Sequence, residues 1–368
     1  MTATLPRVAS LLEAGVRDGL HRGAQLEVRF AKGDRSPVSL AVGEARDGVP
    51  MRADTLLPWF SCTKAVTAVA VAQLWERGAF HLDDRVGQHV PGFGANGKGD
   101  VTVRHLLTHT AGFPNAVGQR DDRRWSWDEV SATIAASPLE PGWVPGRRAA
   151  YHAVTAFHVL GDVVQRLDGR PFADYVSEEV FEPLDMADAW VALPHRRFES
   201  YGDRMGRMHA ADGSVVHGLD DAGSFAKPLP SGSGIGPMAD LVKLYEALLG
   251  GGAREGERIL RPQTVEAMTA RHRVGMRDET FGHVIDWGLG LMVNSFHHRG
   301  RPSSYGYGEH ASMRAFGHGG SQSSLAFADP VAGVAVALCC NGMPGEPKNH
   351  ARTQPVVTAL YEELGLTP

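Results

Sequence analysis

The sequence contains few cysteines and no long apolar run. Only three of its 368 residues are cysteine, namely Cys62, Cys339 and Cys340, and they provide no disulfide framework. The last two are adjacent in an apolar, strand-like run, as is typical of small buried side chains. The chain has no run of about 18 apolar residues that would span a membrane. Residues 1–25 lack the uninterrupted apolar segment of a signal peptide. These absences predict a cytoplasmic protein.

The charge distribution lacks both a basic stripe and an acidic tail. The formal net charge is −5, which argues against nucleic acid and anionic membranes as partners. A hydrophobic content of 43% is ordinary for a globular protein, and the length favours one elaborated domain or two closely packed domains. No feature of the sequence predicts an oligomeric state.

Strand-like and helical patterns are separated along the chain. Alternating apolar runs occur at residues 24–33 and 36–46, and two more flank an Asp-Pro-Val-Ala-Gly turn at 329–333. Helical spacing dominates the long middle region and returns after Ala351. We therefore predict an α+β fold. Residues 1–60 and 280–368 would form a mixed α/β sheet domain, with a mainly helical region, residues 61–279, inserted between them.

The segment SCTK, residues 61–64, places a serine one helical turn before a lysine. No Pro or Gly interrupts the chain from Cys62 to Arg77, and the stretch is apolar on nearly every side, which predicts a buried helix. A second Ser-x-x-Lys, SFAK at 224–227, is followed by Pro228 and Pro230, so no helix continues from it. Only the first pair is therefore expected to share a helical face.

Two interpretations of Ser61 and Lys64 remain open at this point. In the catalytic one, burial lowers the pKa of Lys64 so that its amine can act as a base. The i to i+3 spacing brings that amine to the Ser61 hydroxyl, and the helix N-terminus favours developing negative charge. In the structural one, Ser61 caps the helix and Lys64 extends to the surface. Cys62 would point about 100° away from the shared face, so it is not the expected nucleophile.

Two further places can supply the partners of a Ser–Lys nucleophile. Tyr151 stands at a loop-to-helix junction, where its phenol can pass a proton between Lys64 and a substrate. His318, Gly319 and Gly320 stand at the entry to a strand, where paired glycines let a ligand lie against the backbone. The alternatives are a packing role for the tyrosine and a plain turn for the glycines.

These three motifs occur in the order and rough spacing of the superfamily of serine β-lactamases, penicillin-recognising enzymes and family VIII esterases. VTVRHLLTHTAGF (101–113) and GRPFADYVSEEVFEPLDM (169–186) also resemble segments of its class C-like branch. The resemblance covers nearly the whole chain. It implies a β-lactamase/transpeptidase-like fold with an active site between the sheet domain and the helical region.

The resemblance implies a role for each matched position. Ser61 would be the acylated nucleophile and Lys64 its general base, and Tyr151 would share the proton transfer to the leaving group. The backbone N–H groups of Ser61 and Ser321 would form the oxyanion hole.

The sequence also departs from the pattern of the superfamily. His318-Gly319-Gly320 matches its substrate-binding Lys-Thr-Gly, but a neutral or titrating histidine replaces the fixed charge of the lysine. The frequent Tyr-x-Asn reads Tyr151-His152-Ala153, so the carboxamide that would hold a substrate amide is missing. Both changes favour the esterase and acyltransferase branches over β-lactamases and DD-peptidases.

Histidines elsewhere give no credible metal site from spacing alone. His105 and His109 are four residues apart, but the glutamate that a zinc protease needs is absent. SFHHR at 295–299 offers no ligand set with suitable spacing. We expect neither a metal nor another cofactor.

Several other residues are candidates for the walls of a substrate pocket. Trp287 and Tyr307 are predicted to bind substrate, and Ser231 or Ser233 to line the site. A packing role is the alternative for each aromatic residue. The remaining candidates are Trp59, Tyr305 and His310.

The sequence thus predicts a serine hydrolase that acts through an acyl-enzyme, most simply a carboxylesterase on small esters. One alternative is a transacylase that passes the acyl group to an amine or alcohol in small-molecule biosynthesis. A β-lactamase, a DD-peptidase and a non-catalytic binding protein with the same fold are less favoured.

Overall fold

The computed structural model describes residues 5–31, 35–116, 126–298 and 306–367. Its β-structure is dominated by one antiparallel sheet of eight strands drawn from both ends of the chain. The described strands are β1 (Gly23–Phe30), β2 (Val38–Arg46), β3 (Val49–Pro50), β4 (Leu57–Pro58), β5 (His209–Ala210), β6 (Ile235–Gly236), β7 (Ala253–Arg254), β8 (Glu257–Arg258), β9 (Asp286–Trp287), β10 (Met292–Val293), β11 (Phe316–Gly319), β12 (Ser324–Asp329), β13 (Val334–Cys340) and β14 (Gly342–Met343).

The order across the large sheet is β3-β2-β1-β13-β12-β11-β10-β9. The two predicted hairpins are confirmed as β1–β2 and β12–β13, and β1 pairs with β13, which joins the two ends of the chain. At the second turn the Asp329 carboxylate accepts hydrogen bonds from the N–H groups of Val331 and Ala332. The α+β prediction is confirmed.

Helices fill the middle of the chain and flank the sheet. The described α-helices are α1 (Pro6–Arg17), α2 (Thr63–Glu76), α3 (Val103–Leu107), α4 (Trp127–Ala136), α5 (Thr155–Asp168), α6 (Phe172–Val176), α7 (His195–Tyr201), α8 (Ala222–Phe225), α9 (Met238–Leu249), α10 (Pro262–Thr269) and α11 (Glu346–Glu363). The last helix begins five residues before the predicted start at Ala351, with a proline in its first turn. None of the described helices is both long and apolar enough to cross a membrane.

Alternation along β13 explains how the sheet is covered on both faces. Val336 and Leu338 pack into one apolar cluster with α1 and α11, whereas Ala335 and Ala337 belong to the other cluster, with α2 and α9. Small alanine side chains let α9 lie close to the strands. The middle region therefore contributes a covering layer to the sheet.

Helix α2 lies inside the protein rather than on its surface. Every residue from Thr63 to Leu74 is buried, as its apolar character on all sides predicts. It packs against α5, which follows the Tyr151 junction. Burial of α2 fixes the position of the Ser-x-x-Lys motif relative to the sheet.

Candidate active site

Ser61 lies in a short 3-10 turn, Phe60–Cys62, which leads directly into α2. Phe60 adopts a positive φ of 49°, a backbone conformation that non-glycine residues rarely adopt. Gly320 lies against this turn so closely that a Cβ there would come within 2.4 Å of the Trp59 carbonyl oxygen. The end of β11 is thus pressed against the residues that precede Ser61.

Lys64 and Tyr151 both reach the Ser61 hydroxyl. Tyr151 Oη lies 2.8 Å from Ser61 Oγ, and Lys64 Nζ lies 3.2 Å from it. Both distances are within hydrogen-bond reach of a nucleophile and its base. Ser61 itself is half-buried. The structure therefore brings together three residues that are separated by up to 90 positions in the sequence.

Among the residues that the structure describes, none with an acidic side chain pairs with Lys64. The side chain is completely buried, and Nζ donates to the carbonyl oxygens of Ala153 (2.8 Å) and Ser231 (2.9 Å). Because burial removes water from the amine, the pKa of Lys64 lies well below its usual range. A neutral amine has two N–H groups and one lone pair. The two carbonyls take the N–H groups, which leaves the lone pair for the Ser61 hydroxyl.

Tyr151 is held in place through its backbone. Its N–H donates to Asp278 Oδ1 at 3.0 Å, and the same oxygen accepts from the N–H groups of Thr280 and Phe281. The buried Asp278 carboxylate also lies 3.1 Å from the guanidinium of Arg273. This arrangement fixes the loop that presents the phenol to Ser61.

Aromatic rings surround the Tyr151 ring. His109 lies 4.7 Å from it and Phe281 lies 4.6 Å from it, between ring centroids. Trp287 stacks at 6.0 Å with an interplanar angle of 28°. These rings leave Tyr151 little freedom to turn away from Ser61.

His318 is a neutral side chain at the end of β11. It is buried, and desolvation lowers its pKa to about 3. Its Nδ1–H donates to the Gly319 carbonyl at 2.6 Å, so Nε2 carries the lone pair. Within the described part of the chain, Nε2 has no hydrogen-bond partner. The site therefore offers an acceptor here rather than a positive charge.

In the described structure, the pairing of β11 with β10 does not extend to His318. β10 pairs only with Phe316 and Gly317 of β11, so the pairing ends before His318. Cys62 Sγ, at 3.0 Å, donates to the His318 carbonyl. Ser321 is exposed in the turn that follows.

The chain is similar to known proteins over most of its length. The model of the Beta-lactamase family matches residues 9–360. The chain belongs to the Beta-lactamase family. Esterase EstB of Burkholderia gladioli is 31% identical over 335 residues, which cover 81% of each chain. Esterase/beta-lactamase LipL of Mycobacterium tuberculosis is 26% identical over 322 residues, 80% of this chain and 71% of that protein. The solved structure of a family VIII carboxylesterase matches with a TM-score of 0.82 at 27% identity and covers 99% of both chains.

In this member of the Beta-lactamase family, Ser61 does not act as a helix cap. The N-cap position of α2 is Cys62, without a side-chain capping bond, and Thr63 Oγ1 donates to the Phe60 carbonyl instead. The capping interpretation is therefore corrected: the Ser61 hydroxyl is committed to Lys64 and Tyr151. Lys64 is buried and does not extend to the surface.

The structure does not bring Tyr307 to this cluster. Tyr307 is fully buried on the opposite face of the sheet, where it stacks on Phe327 at 4.7 Å and donates to the Met292 carbonyl. Trp287 is also fully buried and lies against both Tyr151 and His318. It forms the support behind these residues rather than an exposed wall.

The other candidates fall into three groups. The carbonyl of Ser231 belongs to the site through Lys64, whereas Ser233 Oγ bonds to the backbone of its own loop and of Val191. Trp59 lies in the core and His310 pairs with Glu362. Tyr305 lies outside the described residues.

Sequence reasoning missed two side chains that support the site. Asp278 carries no motif, and only the folded loop brings it to the Tyr151 backbone. In the sequence, His109 stands out only through its four-residue spacing from His105. In the structure its Nδ1 accepts from the His152 N–H, whereas His105 Nδ1 accepts from the Thr102 N–H within its own helix start. The two histidines therefore serve different local structures.

Proposed function

We propose that this protein is a carboxylesterase that hydrolyses small esters through an acyl-enzyme on Ser61. One observation carries the proposal: a buried lysine without an acidic contact and a tyrosine hydroxyl converge on one serine oxygen, at 3.2 and 2.8 Å. Membership of the Beta-lactamase family and similarity to named esterases support it.

In the acylation step, the neutral Lys64 amine takes the proton of the Ser61 hydroxyl as Ser61 Oγ attacks the ester carbonyl carbon. The carbonyl oxygen becomes an oxyanion, which the N–H groups of Ser61 and Ser321 would stabilise. Tyr151 donates its proton to the departing alkoxide and regains one from the Lys64 ammonium. The C–O bond of the ester breaks, and the alcohol leaves.

In the deacylation step, one water molecule attacks the acyl carbon. Tyr151 and Lys64 accept the proton of that water and return a proton to Ser61 Oγ as the acyl bond breaks. The products are one alcohol and one carboxylic acid for each ester and water consumed. The two proposed steps require no cofactor.

The substrate class follows from the charge of the site. His318 is neutral at neutral pH because its pKa is depressed to about 3, and burial lowers the pKa of Lys64 and so favours its neutral amine. Neither side chain offers a fixed positive charge to a substrate carboxylate. We therefore propose uncharged esters as substrates in preference to anionic β-lactams or peptides with a free carboxylate.

The test uses the two Ser-x-x-Lys sequences of the chain as a matched pair. Ser61→Ala removes the proposed nucleophile, whereas Ser224→Ala removes the serine of the second sequence, whose hydroxyl bonds to Asp221. Hydrolysis of a p-nitrophenyl ester should be abolished by S61A and unchanged by S224A. Wild-type activity in S61A would refute the proposal.

A second experiment separates hydrolysis from acyl transfer. The enzyme is incubated with an ester and a panel of amines and alcohols, and acid and transfer products are quantified together. An esterase yields mainly the acid, whereas a transacylase yields mainly the amide or the new ester. A binding protein without catalysis would yield neither and would not be labelled by a serine-reactive phosphonate.

A further inference from the structure

A second cluster of reactive side chains lies apart from Ser61. Asp286, the first residue of β9, has a completely buried side chain. His298 Nε2 lies 2.8 Å from Asp286 Oδ1, and His297 Nε2 lies 3.5 Å from Oδ2. One nitrogen of each histidine and one carboxylate oxygen all lie within 4.8 Å of one another. Two neighbouring histidines thus direct the same ring nitrogen at one carboxylate.

We propose that Asp286, His297 and His298 bind one divalent transition-metal ion, with zinc as the best match. Two imidazoles and a carboxylate are the ligands that zinc takes in three-ligand protein sites, at about 2.0–2.2 Å from the metal. Ligand atoms around a tetrahedral zinc ion lie roughly 3.3–3.6 Å apart, as follows from those bond lengths. The three ligand atoms already lie within 4.8 Å of one another.

Both histidine side chains are partly exposed to solvent, so a metal ion can reach the buried Asp286 carboxylate from that side. The His297 side chain is 39% exposed and that of His298 is 21% exposed. Their ring centroids are only 3.8 Å apart, so two protonated rings would repel each other. A neutral imidazole is the form that coordinates a metal, and the exposed side leaves a position for water.

Outer contacts hold the carboxylate in position. The Gly275 N–H donates to Asp286 Oδ1 at 2.9 Å, and Arg271 Nε donates to Oδ2 at 2.9 Å. Such contacts orient metal ligands in known sites. The positive charge of Arg271 also opposes a second cation, so we infer weaker binding than in a closed structural zinc site. Arg271 is anchored as well by the carbonyls of Asn294 and Met313.

The position of the cluster gives the metal a structural role. Asp286 directly precedes Trp287, which stacks on Tyr151 and contacts His318. A metal that ties residues 297 and 298 to β9 would brace the strand behind these two side chains. The inference does not depend on the proposed esterase activity, because none of the three ligands touches Ser61, Lys64 or Tyr151.

The experiment measures metal binding directly. Protein without a polyhistidine tag is stripped with EDTA, dialysed, and titrated with zinc chloride against a chromophoric chelator. Wild type should bind one equivalent. His297→Ala and His298→Ala should weaken binding by about tenfold or more, whereas His195→Ala, an exposed histidine on α7, should leave it unchanged. Circular dichroism verifies that each variant is folded.

Cobalt provides an independent measurement. Co²⁺ bound in a tetrahedral site absorbs visible light far more strongly than the octahedral aqueous ion. The proposal predicts a visible band in wild type that saturates at one equivalent and is lost in H297A. Equal zinc binding by wild type and the H297A/H298A double variant, or no binding by wild type, would overturn the proposal.

Discussion

Lys64 Nζ lies 3.2 Å from Ser61 Oγ, one helical turn along the same chain segment. Complete burial of this lysine between the carbonyls of Ala153 and Ser231 favours the neutral amine. A protonated lysine would have no lone pair to accept the serine proton. The chemistry that we propose therefore depends on where Lys64 is buried as much as on its spacing from Ser61.

The first prediction concerns pH. The Lys64 pKa is lowered, so the active neutral amine is present above that depressed pKa and is lost as pH falls through it. Hence kcat/KM should fall on the acid side as Lys64 gains a proton. His318, with a pKa of about 3, is neutral at neutral pH. The fall of kcat/KM at low pH should therefore persist in His318→Gln. If this fall were absent in H318Q, His318 rather than Lys64 would be the base.

The second prediction concerns the leaving group. Tyr151→Phe removes the hydroxyl that we propose as proton donor but keeps the ring packing. The loss in kcat/KM, which reports the steps up to release of the alcohol, should be about 10²–10⁴-fold for alkyl esters, the usual contribution of general acid–base catalysis. It should be much smaller for p-nitrophenyl esters, whose leaving group departs without a proton. Tyr201→Phe, which alters a hydroxyl bonded to Asp188, serves as the control. Equal losses for both ester classes would contradict the assignment.

The third prediction concerns substrate charge. His318→Lys places an amine at the position where the sequence departs from the Lys-Thr-Gly pattern. The ratio of kcat/KM for an ester with a nearby carboxylate to that for its neutral analogue should rise by about tenfold or more, the value of a charged hydrogen bond. H318Q, which adds no charge, should leave the ratio near that of wild type. No change in the ratio for H318K would show that this position does not contact the substrate carboxylate.

The fourth prediction concerns the support of Tyr151. Burial lowers the pKa of Arg273 to about 10, and Asp278 is its buried partner. Asp278→Ala would leave that guanidinium unpaired and should lower the free energy of unfolding by about 3–5 kcal/mol. Asp100→Ala, which breaks an exposed pair with Arg85, should change it by about 1 kcal/mol or less. Urea denaturation measures both, and similar values for the two variants would contradict the role of Asp278.

Local patterns predicted much of the fold. The two hairpins and α2 follow from alternation, turn residues and an unbroken apolar run, all of which act over a few residues. The start of α11 lies five residues before the predicted one, and Pro347 stands in its first turn. Proline in the first turn of a helix is compatible with it.

Long-range packing decided what the sequence did not reveal. Tyr307 is near His318 in sequence, but it packs on the opposite face of the sheet beside Phe327. Asp278 and Asp286 carry no motif, and each meets its partners only after the loops fold. The structural alternative, in which Ser61 caps α2, is wrong because the 3-10 turn Phe60–Cys62 precedes that helix.

The most direct test of the account is the mass of the protein after brief exposure to an activated ester, followed by acid quench and peptide mapping. We predict one added acyl group, located on the peptide that contains Ser61, and none in S61A. An acyl group on another residue, or turnover of the ester without any adduct on Ser61 under quench conditions that preserve acyl-serine, would contradict the central claim.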